Sequence, residues 1–360
     1  MTTEEILLAL RKVIDPDLHK DLVTLKMIEN IKIDGNKVSF DLVLTTPACP
    51  LRSTLEENCK KAILEKFPQA EIEINTISRV TTHKEIPALK NIKNIVAVVS
   101  GKGGVGKSTI AVNLAAGLAL SGAQVGLLDA DLHGPSIPKM LGAENMFPQV
   151  VKKDGKDTLV PIEKHGIKLM SIGFLVEKEK PLIWRGPMLT SVLLQLVNDT
   201  DWGELDYLII DTPPGTGDVH LTLIQNFSIT GIIVASTPQE VALNDARKAL
   251  NMFRDEKINV PILGLVENMS YFVPSDMPEK KYYIFGREGT KKLAEETNTR
   301  LLGEIPLFEE VMQSGEDGIP AVIDHNNPAK PYFYDFAQKT AQAVAIRNAT
   351  LEPTKILRIQ

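Results

Sequence analysis

Cysteine is almost absent: Cys49 and Cys59 are the two in 360 residues, and they form no C-x-x-C pair. That excludes a disulfide-stapled scaffold and leaves any thiolate metal site within one chain short of ligands. No apolar run approaches the ~20 residues a bilayer span requires. The candidates, such as Ile95 to Val99, have the length of strands. The start, MTTEEILLALRK, lacks the basic segment, apolar stretch and small-residue cleavage site of a secretory signal, so a cytoplasmic protein without membrane contact is expected. Basic excess is missing too. Forty Lys and Arg stand against 46 Asp and Glu, a net charge of −6, which argues against nucleic acid as a partner. Neither an internal repeat nor a low-complexity segment occurs.

What is present is globular: 43% hydrophobic and 24% charged residues support a buried core, and the length suggests two units. Thr2 and Glu5 have the spacing of a capping box ahead of Ile6, Leu7 and Leu10, predicting a helix stopped by the Asp15-Pro16-Asp17 turn. Alternation from Ile31 to Leu44 around Asp34-Gly35-Asn36 predicts a hairpin. A helix from about Ser53 to Phe67 and a strand near Ile72 to Ile77 complete a small α+β domain over residues 1–85. The polar stretch from Thr82 to Asn94, with Pro87, reads as linker, taken as 86–94 ahead of a large domain over 95–360. In that domain strand-length apolar runs recur at 95–99, 125–128, 208–210, 232–235, 262–266 and 301–305. Helical stretches such as Lys107 to Leu120 and Val241 to Arg254 separate several of them. Near-continuous apolar strands alternating with helices predict an α/β fold whose mostly parallel sheet is covered by helices on both faces.

Directly after the first of those strands stands Gly101-Lys102-Gly103-Gly104-Val105-Gly106-Lys107-Ser108-Thr109, which satisfies G-x-x-x-x-G-K-[ST] and leads into a helix. Glycines let backbone N–H groups close around phosphate oxygens, and the helix N-terminus favours negative charge. Lys107 is placed to reach the terminal phosphates and Ser108 to ligate Mg²⁺. Asp211 ends another apolar strand ahead of Thr212-Pro213-Pro214-Gly215-Thr216-Gly217-Asp218, which suits a carboxylate holding Mg²⁺ beside a loop that senses the γ-phosphate. Asp129 and Asp131 follow the strand at 125–128, where parallel sheets bind ligands; a turn role is open for either. Phosphoryl transfer rests on positioning and charge neutralisation, so glycine, lysine, serine and aspartate suffice.

Lys102 is an extra lysine that an ordinary phosphate loop does not need; a solvated side chain is the lesser alternative. With it, KGGVGKST resembles the deviant Walker A loop of the MinD, ParA and nitrogenase iron protein class of ATPases. That resemblance implies a homodimer in which Lys102 reaches nucleotide across the interface, Asp131 positions or deprotonates water, and Asp129 supports Mg²⁺. DADLHGPSIPKMLG at 129–142, WRGPM at 184–188, DTPPGTGD at 211–218 and ENMSYF at 267–272 further resemble the Mrp/ApbC family of iron-sulfur cluster carrier ATPases. TTPACP at 45–50 resembles the small iron-sulfur assembly domain often fused ahead of them.

The resemblance implies ATP and Mg²⁺ as cofactors, a [4Fe–4S] cluster as cargo, and apo iron-sulfur proteins or assembly factors as partners. It places Asn268 near the adenine, where an ordinary loop amide is the alternative. The chain departs from the family pattern after SYF: VPSDMPEKKYYIF holds no cysteine where a C-x-x-C pair normally follows. A nucleotide-switched scaffold without its own cluster is therefore the rival reading. Cys49, between prolines ahead of a helix N-terminus that would lower its pKa, reads as iron-sulfur ligand or as small buried residue. Cys59 reads as helix core, His133 as a loop-shaping group, and 279–283 as a solvated loop. A MinD-like positioning ATPase would need a membrane-seeking tail, whereas VAIRNATLEPTKILRIQ is interrupted by Pro353.

Overall fold

Thr2 and Glu5 form the expected capping box, the Glu5 amide donating to Thr2 Oγ1 at 3.3 Å and the Thr2 amide to Glu5 Oε2 at 3.0 Å. The structure is a computed structural model describing residues 1–81, 89, 91–131, 134–153, 155–175, 186–274 and 276–356. Helix α1 (Thr3–Leu10) stops well before the Asp15-Pro16-Asp17 turn, where Asp15 Oδ1 accepts from the amides of Asp17 and Leu18. Then come β1 (Ile28–Asp34), β2 (Lys37–Leu44), α2 (Arg52–Lys66) and β3 (Glu71–Ser78). β1 pairs antiparallel and β3 parallel with β2, and Phe40, Leu42, Leu55 and Ile63 fill the core between sheet and helices.

The remaining elements are β4 (Ile92–Ser100), α3 (Lys107–Leu120), β5 (Val125–Asp129), α4 (Ile137–Met140), β6 (Gln149–Lys153), β7 (Lys156–Val160), β8 (Ile162–Lys164), β9 (Ile167–Ser171) and α5 (Gly186–Asn198). They continue with β10 (Leu205–Asp211), α6 (Asp218–Asn226), β11 (Gly231–Ser236), α7 (Glu240–Arg254), β12 (Ile262–Phe272), α8 (Gly289–Glu296), β13 (Leu301–Leu307), α9 (Glu309–Asp317) and α10 (Lys330–Thr350). Eight strands form one sheet in the order β13-β12-β11-β4-β10-β5-β9-β8, parallel except for β8. Period-two alternation sends Val96 and Val98 to the face covered by α3 and α10, and Ile95, Ala97 and Val99 to the face covered by α5 to α8. Both faces are thus apolar and covered, as the continuous strands predict.

Ile92, Lys93 and Asn94, expected in the linker, are instead the first residues of β4. Their polarity misled the reading because partners satisfy it. Lys93 pairs with Asp206 at 2.8 Å, and the buried Asn94 amide donates to the carbonyls of Thr81 and Asp206. Residues 86–88 and 90 of that linker lie outside the described residues.

The N-terminal unit is seated on the end of the large sheet remote from the phosphate loop. Tyr207, near the start of β10, donates to Thr46 Oγ1 at 3.2 Å, and Ala48 and Val80 join the same apolar cluster as Val96 and Val98. Gln342 of α10 donates to both oxygens of Asp17 at 2.8 and 2.7 Å. Asn348 of α10 donates to Thr81 O and Asn94 Oδ1.

Candidate functional site

The turn between β4 and α3 needs glycine for two separate reasons. Gly104 and Gly106 have φ of +81° and +80°, where a Cβ is strained, and a Cβ on Gly106 would also collide with the Asn268 amide. Ser100 Oγ donates to Lys102 O at 2.9 Å and Asn268 Nδ2 to Val105 O at 2.9 Å, so side chains from two strands hold the loop backbone. Helix α3 starts on Gly106, which offers no capping oxygen, and its first turn holds no acid. Its leading N–H groups are therefore free of side-chain caps and suit an anion.

Below the loop, β5 and β10 lie in register so that Asp129 and Asp211 end side by side. Lys107 Nζ is 2.6 Å from Asp211 Oδ1 and 3.5 Å from Asp131 Oδ2, while Ser108 Oγ donates to Asp211 Oδ2 at 2.6 Å. Burial raises the Asp211 pKa and the Lys107 ammonium pulls it back. At Asp129 the contacts are neutral donors, Ser171 Oγ to its Oδ2 at 2.8 Å and the Asp131 amide to its Oδ1 at 3.2 Å. Burial first, then the Asp211 charge, push Asp129 up to about 8.

A carboxyl whose pKa rises on folding stabilises the fold fully below its ordinary value of 3.8, and that contribution fades as pH climbs through about 8. Asp129→Asn does not titrate. It is expected to flatten the fall of melting temperature between about pH 5 and about pH 9, followed by circular dichroism. An unchanged slope would show that another group carries this dependence.

Over the loop opens a cleft of about 520 Å³ lined by Lys102, Gly104, Lys107, Ser108, Asp131 and Asn268, with an apolar wall of Met269, Phe308, Val311 and Met312. Gly103 and Thr109 also border it; Gly101 packs against the Asp245 backbone and Val105 is buried. Asp131 borders the cleft, whereas Asp129 and Asp211 sit beneath its surface. Asn268 gives one N–H of its amide to the loop carbonyl, which leaves its oxygen and second N–H for a base contact. Among the described residues no group of three or more His, Cys, Asp or Glu could hold a metal ion. The oxygens of Ser108 and Asp211 are hard donors that fit Mg²⁺ in a site completed by phosphate oxygens and water. His133, Trp184 and Arg185 lie outside the described residues.

Cys49 is not brought to the cleft. It lies at the seam between the N-terminal unit and α10, in a crevice with Asp15, Asp17, Thr46 and Gln342. The expected lowering of its pKa is reversed, because burial outweighs the amides of Leu51 and Arg52 and the thiol is pushed up. Cys59 is sealed in the α2 core and pushed up to about 12 by burial. Where the family pattern puts C-x-x-C, Lys281 Nζ sits 4.3 Å from the centroid of the Tyr271 ring, Arg287 lies 4.9 Å from that of Tyr283, and those two rings are 5.8 Å apart. Sequence reasoning missed Ser171, which holds Asp129, and His220, which holds Thr212; neither belongs to a motif, and the end of an apolar strand is the one cue Ser171 offers.

A parallel sheet in which one strand feeds a glycine turn, a lysine and a helix, and another ends in an aspartate bonded to that lysine and the following serine, defines a P-loop NTPase. Residues 91–341 match the family described as NUBPL iron-transfer P-loop NTPase, and residues 3–76 match that described as iron-sulfur cluster assembly protein. The chain belongs to the iron-transfer P-loop NTPase family. It is 47% identical over 332 residues to an iron-sulfur cluster carrier protein of Synechocystis sp., covering 91% of this chain and 94% of the relative. A second protein of that name from Deinococcus radiodurans is 46% identical over 356 residues, 98% of this chain and 99% of the relative. Among solved structures, a nucleotide-binding protein of Archaeoglobus fulgidus in complex with ADP superimposes with a TM-score of 0.58 at 36% identity, covering 69% of this chain and 94% of that one.

Proposed function

We propose that this protein is an ATPase that works as a homodimer and couples its nucleotide state to the delivery of iron-sulfur clusters to acceptor proteins. The observation that carries the ATPase half is the contact set at the cleft floor: one ammonium on two carboxylates, and one hydroxyl on the carboxylate best placed for a metal. Magnesium held by Ser108 and Asp211 would neutralise charge on the β- and γ-phosphates. The loop amides and Lys107 grip those phosphates, and Lys102, at the cleft mouth, suits contact with nucleotide held by a second copy. Water adds to the γ-phosphorus, the bond to the ADP oxygen breaks, and Asp131, which borders the cleft, accepts the water's proton. Dimer geometry then differs between triphosphate and diphosphate states, which is the device for taking up and releasing cargo.

The cargo half rests on the family and on the names of its relatives. One observation favours a second reading, a nucleotide-switched scaffold whose acceptor or assembly partner supplies the cluster ligands: Cys59 is sealed, so each protomer offers Cys49 alone. Oxygen-free purification with iron and sulfide analysis separates the two. The carrier reading expects iron and sulfide in the wild type and their loss in Cys49→Ala; a chain that never acquires iron establishes the scaffold.

A further inference from the structure

His220 stands in the first turn of α6, is 2% exposed, and takes no part in the steps above. Its Nε2 lies 3.0 Å from Thr212 Oγ1. The Thr212 hydroxyl has a single proton, and two carbonyls compete for it, Val98 O at 3.0 Å and Pro213 O at 3.2 Å. With that proton on either carbonyl, Oγ1 is left as an acceptor toward the ring and Nε2 carries the hydrogen, the tautomer that the two carbonyl contacts favour. Nδ1 is then the bare nitrogen, and it is buried with no hydrogen-bond partner among the described residues. The ring packs edge-on against Phe253, with centroids 6.1 Å apart and planes at 69°. Burial pulls the imidazole pKa down to about 4, in keeping with a neutral ring in this apolar setting.

The position of this bond gives it a consequence. Thr212 directly follows Asp211, and its amide, like its hydroxyl, donates to Val98 O on β4, the strand that feeds the phosphate loop. His220 lies beyond the glycine segment 213–217, on the helix that segment enters. The ring therefore ties the far end of the segment to its near end. In between, Gly215 has φ of +93° and its amide donates to Ser100 O at 2.8 Å, beside the loop lysine.

We propose that His220 is a positioning residue: through its Nε2–H bond to Thr212 it pins the corner after Asp211 and closes the base of the 213–217 segment, so that the Asp211 carboxylate keeps its register with the phosphate loop during hydrolysis. This rests on the ATPase reading above, and it assigns a role to a side chain that touches neither nucleotide nor metal. Loss of the brace is a loss of transition-state geometry more than of ground-state binding.

The test pairs His220→Leu, which removes the donor, with His220→Gln, whose amide N–H reaches a similar distance. With ATP and magnesium, the Leu variant is expected to lose kcat by about tenfold or more while KM stays within about twofold, and Gln to recover most of the loss. A Leu variant that hydrolyses ATP at the wild-type rate, or a Gln variant no better than Leu, overturns the proposal. Nitrogen-15 NMR of the histidine-labelled wild type gives a readout that does not depend on variants folding. The expected signal is a neutral Nε2–H tautomer unchanged between about pH 6 and about pH 8; an Nδ1–H tautomer or an imidazolium overturns it. Should the wild type hydrolyse no ATP, the ATPase reading fails instead, and the tautomer signal still decides whether the brace exists.

Discussion

Lys107→Ala is expected to reduce ATP hydrolysis by about 10² to 10³-fold or more and to abolish the heat of ATP binding in calorimetry, because the cleft loses its preorganised cation. The same change should weaken the fold. Lys107 is 6% exposed and is the cation bound to Asp211, itself fully buried, so its removal strands a carboxylate in the interior. Breaking such a pair typically costs about 3–5 kcal/mol. The penalty is expected to be greater at alkaline than at acid pH, since the stranded Asp211 escapes it by taking a proton. Undiminished binding heat and turnover in this variant would overturn the assignment of the cleft. A fall in melting temperature without loss of turnover would reduce Lys107 to a structural cation.

Asp131→Asn is expected to separate binding from chemistry. Asp131 borders the cleft with its side chain 13% exposed, and Lys107 touches one of its oxygens at 3.5 Å. Removing a proton acceptor typically lowers turnover by about 10² to 10⁴-fold. The amide keeps the size of the carboxylate, so calorimetry with ADP and magnesium should give an affinity within a few-fold of wild type. If affinity and turnover fall together, Asp131 holds the cleft in shape and the proton leaves by another route. Asp129 offers a contrast within the same triplet, since it lies beneath the surface with a raised pKa.

The phosphate loop was legible from sequence because its chemistry is local: glycine spacing, two lysines and two hydroxyls within nine residues. The core strands were legible because each is buried on both faces, leaving an unbroken apolar run such as Ile95 to Val99. α10 was not, and its packing explains why. Phe333, Phe336, Ala337, Thr340, Ala341 and Val344 are buried at helical spacing, but Thr340 and Arg347 lie among the buried residues and Ala343 and Ala345 are buried beside them, so polarity does not mark the buried face. The helix lies between α3 and β13, with the N-terminal unit bound to its end, and amphipathic reasoning presumes one wet side. β6 and β7 escaped for the opposite reason: nearly every residue is exposed, so alternation carries no burial signal. The environment of Cys49 was misjudged because a helix start is visible in sequence, whereas the α10 surface that dries the thiol comes from Gln342, Ala345 and Ile346, far along the sequence.

The seating of the N-terminal unit on the start of β10 sets a distance that any account of delivery must respect. Four residue-to-residue steps of extended strand separate Tyr207 from Asp211, on the order of 13 Å of backbone. Thr46 is bonded to the near end and the magnesium-type carboxylate forms the far end. A thiol three residues beyond Thr46 does not touch a nucleotide bound by its own chain. A coupling of nucleotide state to the N-terminal unit within one chain would therefore have to run along β10 and α10, the two elements that unit is bonded to.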